Sequence, residues 1–183
     1  VRAGLVGLAF SLRRRSARYV PLGHAGSRPA LDFLGDAPAA GPSVRDALEV
    51  LKPLLENPAV EKIGHDLKLD ALVLARHGVA LPGLGLDTMI ASYLLDATRS
   101  GHPLEATALK HLGYKALTEE DVCGRGAKSI SLADLTPEAA LTYAGERADL
   151  ALQLADRLAP MLESDGLDRL YNTLEQPLIP VLA

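Results

Sequence analysis

Cysteine is almost missing from this sequence. The 183-residue chain has one, Cys123, so an internal disulfide is excluded and a thiolate zinc cluster has no ligands to draw on. That usage fits a reducing cytoplasm. Cys123 has no basic neighbour arranged as for a thiol nucleophile, which argues against cysteine catalysis. An excess of positive charge is also lacking: 19 Lys and Arg stand against 23 Asp and Glu, a net charge of −4. A strongly basic DNA-coating protein is thereby excluded, whereas a metal-using enzyme acting on an anionic substrate is not. No apolar run reaches the roughly 18 residues of a membrane span. Residues Ala3 to Phe10 imitate the core of a signal peptide, but the positive cluster Arg13-Arg14-Arg15 lies on the wrong side of them. There is no low-complexity segment and no internal repeat. His24, His77, His102 and His111 show no metal-ligand spacing.

What is present is ordinary globular material, 48% hydrophobic and 23% charged, in a length that suits one domain. Leu5–Leu12 and Ala17–Leu22 read as two strands joined by the charged run Arg13–Ser16, a β-hairpin. Residues 23–42 are rich in Gly, Pro, Ala and Asp and read as a loop. Ser43 is a good N-cap for a helix reaching Leu54-Leu55, with a break or kink expected at Pro53. Ala59–Gly64 is a short strand leading into a helix that ends near Gly78, and Leu84–Thr88 repeats the pattern before a helix from Met89 to Leu95. A helix follows at Leu104–Leu112. Thr118 caps the acidic turn Glu119-Glu120-Asp121. Thr136-Pro137-Glu138 opens a long helix ending near Leu162, with a cap, a proline at the first helical position and an acid in the first turn. Leu167–Ala183 stays apolar to the last residue and is expected to pack on something. The order predicts an α/β fold, a mixed sheet covered by helices.

Chemistry concentrates in two stretches. In Gly64-His65-Asp66-Leu67-Lys68-Leu69-Asp70, Asp66 and Asp70 are four apart at the start of a helix and project from nearly one face. They sit where a strand ends, the favoured place for ligands in α/β sheets. Two carboxylates there suit a hard cation such as Mg²⁺. The plainer reading is that Asp66 caps the helix and Asp70 is a solvated acid. In Tyr143-Ala144-Gly145-Glu146-Arg147-Ala148-Asp149, Tyr143 and Arg147 share a helical face, while Glu146 lies about 60° off Tyr143 and Asp149 about 240° around.

With Leu51–Glu56, Leu86-Asp87-Thr88-Met89 and Glu175–Leu182, these stretches occur in the order and spacing of a known family. The chain resembles, over nearly its whole length, the 3′–5′ exonuclease (proofreading) domain of bacterial DNA polymerase I. The resemblance implies an RNase H-like (DnaQ-like exonuclease) fold with a mixed central sheet flanked by helices. It implies two-metal hydrolysis of the 3′-terminal phosphodiester of DNA, with Mg²⁺ held by carboxylates. In the family those carboxylates come from an Asp-x-Glu on the first strand, an Asn/Asp-x-x-x-Asp on a helix and a Tyr-x-x-x-Asp on a later helix.

Carried over residue by residue, Asp70 matches a metal-binding and catalytic Asp. Asp66 stands where Asn is usual, and Tyr143 matches the Tyr that orients water. The Asp expected four residues after Tyr143 is Arg147. A unit charge pair is worth roughly 4 kcal/mol at an effective dielectric near that of a protein surface, so a cation there opposes a divalent ion. His65, Asp66, Arg125 and Lys128 fall at positions expected to contact nucleic acid. The Asp-x-Glu is absent from these residues; Val1–Phe10 resembles the family's second strand, so the first strand is expected to lie upstream. Residues 1–165 are expected to form the exonuclease-like domain lacking its first motif, and 166–183 the start of the connection to a polymerase domain of the same chain. The expected setting is a monomeric, cytoplasmic protein with no membrane partner, acting on the single-stranded 3′ end of DNA. Two function readings follow: a proofreading exonuclease, or a catalytically silent module that supports the polymerase or binds DNA, with Arg147 closing the old metal site by pairing with Asp70. A third, an unrelated α/β binding domain, would lack the RNase H-like sheet.

Overall fold

The computed structural model describes residues 4–24 and 42–183; most of the loop expected over 23–42 lies outside them. β1 (Gly7–Arg13) and β2 (Ser16–Pro21) form the expected antiparallel hairpin, with Leu8 opposite Val20 and Phe10 opposite Arg18. α1 (Val44–Leu55) follows, capped by Ser43, whose hydroxyl accepts from the Asp46 N–H at 3.1 Å. Pro53 does not break α1. It sits in the last turn, where few residues beyond it are left to be helical, and the helix stops at Leu55.

Two strand-to-helix units come next. β3 (Lys62–Gly64) leads through Asp66 into α2 (Leu67–Ala75), and β4 (Leu84–Asp87) runs directly into α3 (Thr88–Leu95). β3 and β4 pair in parallel, so both helices start at the same end of the ladder. Among the described residues the strands thus form two ladders, one antiparallel and one parallel. Both pack on one long helix. That helix is α6 (Pro137–Ser164), which follows α4 (Leu104–Leu112) and the short α5 (Glu119–Cys123) and touches all four strands.

The reason α6 can organise the fold is in its sequence. Thr136 accepts from the Ala139 N–H, and Pro137 is pre-set for the first helical position. Leu150, Leu154, Leu158 and Leu162 then recur every four residues as one stripe, and all are buried. They meet Ala91, Leu104 and Ala108 of α3 and α4 in the largest core. A second core joins α1 and α2 to the hairpin through Leu48, Leu55, Leu74, Leu8 and Phe10. Cys123 is buried in a third, with Leu135 and Ala140, which accounts for the single thiol as core material.

The apolar C-terminal stretch is helical: α7 (Asp168–Leu170), a π-helical turn over Tyr171–Glu175, and α8 (Gln176–Leu182). It packs back through Tyr171 and Ile179, both buried, and through the Gln176 amide, which donates to the Leu84 carbonyl at 2.6 Å. No helix among the described residues is long and apolar enough to cross a membrane.

Leu154 is fully buried at the centre of the stripe. Leu154→Ala is expected to cost about 2–5 kcal/mol, the transfer and cavity cost of a core leucine, read as a lower urea midpoint at unchanged slope.

Candidate functional site

The ends of β3 and β4 are held by one carboxylate. Asp87 is 1% exposed, and it accepts four backbone N–H groups. Asp66 N (3.2 Å) and Leu67 N (2.7 Å) open α2, and Met89 N (2.9 Å) and Ile90 N (3.3 Å) open α3. Each helix start has orphan donors and a positive dipole end, so one anion placed between two starts serves both. Asp87 is itself anchored at its backbone, where its N–H donates to the Tyr171 hydroxyl at 2.6 Å while that hydroxyl donates to the Gly85 carbonyl at 2.9 Å. Burial pushes the Tyr171 phenol up to about 12, so it stays a neutral relay.

This clamp sets the geometry of the acid pair. Asp66 sits in the left-handed region, φ 69° and ψ 55°, which Asn and Asp tolerate better than branched residues. Its carboxylate faces the Leu69 N–H at 3.4 Å, a long cap. Asp70 lies over the end of β3, where a Cβ added at Gly64 would sit 2.5 Å from Leu67 Cδ2 and 3.5 Å from Asp70 Oδ2. Glycine at 64 is what lets α2 come this close. Asp70 keeps access to solvent. The protein crowded around its carboxyl pushes its pKa up to about 6, with Asp66 and Asp87 adding and Arg147 opposing.

His65 is pinned inside the protein. Its Nε2 lies 2.9 Å from the His102 carbonyl, which can only accept, so Nε2 carries the proton. Nδ1 then faces the Thr88 hydroxyl at 2.9 Å, whose proton is shared with the Gly64 carbonyl at 3.0 Å. Burial lowers the His65 pKa and keeps the ring neutral. Both ring nitrogens are therefore engaged by the protein itself.

α6 carries Tyr143 and Arg147, and the Arg147 charge reaches Asp70. The Arg147 guanidinium lies 5.3 Å from the Tyr143 ring centroid and donates to Glu105 in the first turn of α4. The expected pairing of Arg147 with Asp70 is not what forms. α4 packs on α6 and brings Glu105 to the guanidinium, and Arg147 acts on Asp70 only through its field. Glu146 turns to another side of α6, where it accepts from the Tyr114 hydroxyl and the Leu117 N–H, both at 2.7 Å. It supplies no replacement carboxylate beside Asp70. Asp149 holds the hairpin turn through the Arg15 N–H at 2.6 Å. Arg125 and Lys128 lie on the exposed connection after α5, with Arg125 paired to Glu120 at 2.5 Å. No hydrogen bond or ion pair among the described residues ties either of them to Asp70 or Tyr143.

The fit to a metal centre can be judged from the donor set. Asp87 is spent on four N–H groups, Asp66 on its own helix, Glu105 on Arg147, and a cation occupies the place of a further ligand. Among the described residues no group of three or more His, Cys, Asp or Glu side chains is placed to hold a metal ion. The residues present do not fit a two-metal centre.

The family model for the 3′–5′ exonuclease matches residues 5–163. The chain belongs to the 3′–5′ exonuclease domain family of DNA polymerase I. It is 40% identical to DNA polymerase I of Pseudomonas aeruginosa and 36% identical to that of Rhizobium leguminosarum, in each case over 100% of this chain and 19% of the relative. The chain thus spans about a fifth of the length of these relatives. Among solved structures, the apo form of a nuclease superposes with a TM-score of 0.68 at 22% identity, over 98% of this chain and 74% of that one. The fold is the RNase H-like one expected from the motif order.

Two residues that organise this exonuclease-family site had no role in the sequence reading. Asp87 stood in a quoted motif, and an Asp immediately before an apolar helix is the cap signal that could have marked it. Glu105 carried no local signal at all, because its partner is 42 residues away.

Asp87→Ala leaves four N–H groups without an acceptor and is expected to cost about 3–5 kcal/mol, with Asp87→Asn costing less, measured by urea denaturation. The Asp70 carboxyl is expected to titrate near pH 6 by NMR, and Arg147→Gln to move that midpoint upward. Because the folded-state value is raised, its stabilising contribution is present below the unfolded value and is lost as pH rises through about 6. Asp70→Asn should therefore gain stability over the parent at pH 8 and lose that advantage at pH 4.

Proposed function

We propose that this is a non-hydrolytic exonuclease-fold module of a DNA polymerase. It supports the polymerase domain of the same, monomeric chain and contacts the single-stranded 3′ end of DNA without cleaving it. Residues 166–183 are then the start of the connection to that polymerase domain, and 1–165 the exonuclease-like domain without its first acidic motif. The observation that carries the reading is Arg147. It stands where a metal-binding carboxylate would be needed, it is clamped by Glu105 and the Tyr143 ring, and no neighbouring acid turns in to replace what it displaces. Phosphodiester hydrolysis by two metals requires several hard oxygen ligands around ions about 4 Å apart, and a guanidinium in the place of one of them removes a ligand and repels the ions.

The alternative is the family's own activity: proofreading by Mg²⁺-dependent removal of the 3′ nucleotide, with Asp70 on the metal and Tyr143 orienting water. Its support is family membership together with the presence of Asp70 in α2 and Tyr143 in α6.

The test is nucleotide release from a 5′-labelled single-stranded oligonucleotide by the full-length polymerase in Mg²⁺. The expected result is no release above the level of the Asp70→Asn variant. Mg²⁺-dependent release that Asp70→Asn abolishes would sink the silent reading and establish the hydrolytic one.

A further inference from the structure

The hairpin turn meets α6 over an open cavity of about 600 Å³, within the range of small-molecule sites. Gly145 and Asp149 line it, and each stands about 200° around α6 from Arg147, so the cavity lies on another side of the helix from the acid site. We propose that this cavity is a base site: it takes one nucleobase that carries an exocyclic amino group, with the phosphate of that nucleotide at Arg15. The inference deepens the strand-contacting role proposed above and rests on it.

One wall is a row of acceptors. Glu146, Asp149 and Gln153 all line the cavity, and their spacing of i, i+3 and i+7 puts them along one face of α6. The Gln153 amide nitrogen donates to Asp149 Oδ2 at 2.7 Å. A carboxylate oxygen can only accept, so the Gln153 carbonyl oxygen is left as an acceptor. No hydrogen bond among the described residues takes that oxygen. The row is held in place from behind: Glu146 accepts from the Tyr114 hydroxyl and the Leu117 N–H, and Asp149 from the Arg15 N–H at 2.6 Å. A carboxylate offers about four acceptor sites, so these bonds fix both acids without exhausting them. Such a wall asks its ligand for a donor. The amino groups of cytosine and adenine are donors, whereas thymine shows a carbonyl acceptor instead.

The other surfaces suit a flat, neutral ring. Leu112, Leu141 and Leu150 are apolar lining. Tyr114 is 46% exposed and adds an aromatic face on which a base can stack. Gly145 lets the hairpin close on α6, because a Cβ there would lie 3.2 Å from Ala17 Cβ and 3.3 Å from Leu141 Cδ1. Arg15 is the one cation among the lining residues. Its φ of 61° is a conformation that glycine adopts without strain and arginine does not. The turn carries arginine all the same. Arg14 beside it is paired to Asp156 at 2.8 Å, but no ion pair among the described residues engages the Arg15 guanidinium. An exposed guanidinium fork matches phosphate oxygens. Glu146 and Asp149 keep that phosphate out of the interior and admit the neutral base.

The experiment is photocrosslinking of the full-length polymerase to single-stranded oligonucleotides that carry either 5-iodocytosine or 5-iodouracil, with the crosslinked residues mapped by mass spectrometry. The two bases differ in one group, an amino in the first and a carbonyl in the second. Tyr114 is expected to crosslink to 5-iodocytosine with about ten times the yield seen for 5-iodouracil, the discrimination of a base-edge hydrogen bond. Gln153→Leu is expected to remove that difference. Arg15→Gly is expected to lower both yields several-fold while melting no lower than the parent, since glycine is unstrained at this φ and keeps the N–H that Asp149 accepts. Arg45→Gln, an exposed charge on α1, is the control and should change nothing. Equal yields at Tyr114 for the two bases would overturn the proposal. Crosslinks within this domain that all lie away from Tyr114 would overturn it too, while leaving the strand-contacting role standing. A second arm uses free 5-iododeoxycytidine monophosphate. If it crosslinks to Tyr114 in the parent and not in Gln153→Leu, and no oligonucleotide crosslinks anywhere in this domain, the base site stands with a mononucleotide as its ligand and the strand-contacting role falls. No crosslink in this domain from either probe removes both.

Discussion

A single buried carboxylate holds the site end of this molecule together. Asp87 accepts two N–H groups from the start of α2 and two from the start of α3. Two positive helix ends are brought side by side at the end of a parallel ladder, and neither could be buried there without an anion between them. The rest of the site depends on that clamp. It sets the left-handed turn at Asp66, the approach of α2 over Gly64, and so the place of Asp70. Tyr171 extends the clamp into the C-terminal helices by fixing the backbone of Asp87. The segment after α6 is therefore integral to the site rather than an appendage.

The second determining interaction is Arg147 with Glu105. In a family whose chemistry depends on gathered carboxylates, a guanidinium on α6 changes the local charge by two units relative to Asp. Such a cation is tolerated only if it is compensated. Compensation comes from α4 and from the face of Tyr143, not from Asp70. Asp70 is consequently left crowded by protein and by two other acids, which is why its proton is held more tightly than in water. A carboxylate in a working metal site is kept ionised by its metal.

Much of the local structure was legible in the residues. Ser43, Thr118 and Thr136 cap their helices as their positions suggest, and the capping box of Thr118 with Asp121 is complete. The hairpin and the long α6 stripe follow from alternation and from leucines every four residues. The family was legible because five short motifs kept their order and spacing. Less legible were the ends: the apolar tail read as a segment seeking a partner, and it meets the β4 strand through Tyr171 and Gln176.

The sequence by itself determined the elements, the family and the absence of a carboxylate at position 147. Those features depend on helical period, capping chemistry and residue identity, all of which act over a few positions. Tertiary structure alone decided which groups would face one another. That Asp87 would serve two helices and that Arg147 would choose Glu105 over Asp70 are outcomes of how β3, β4 and the helices pack together. Charge partners are set by which helices pack, and packing is set by apolar stripes far along the chain, so no local pattern around these residues could have announced them.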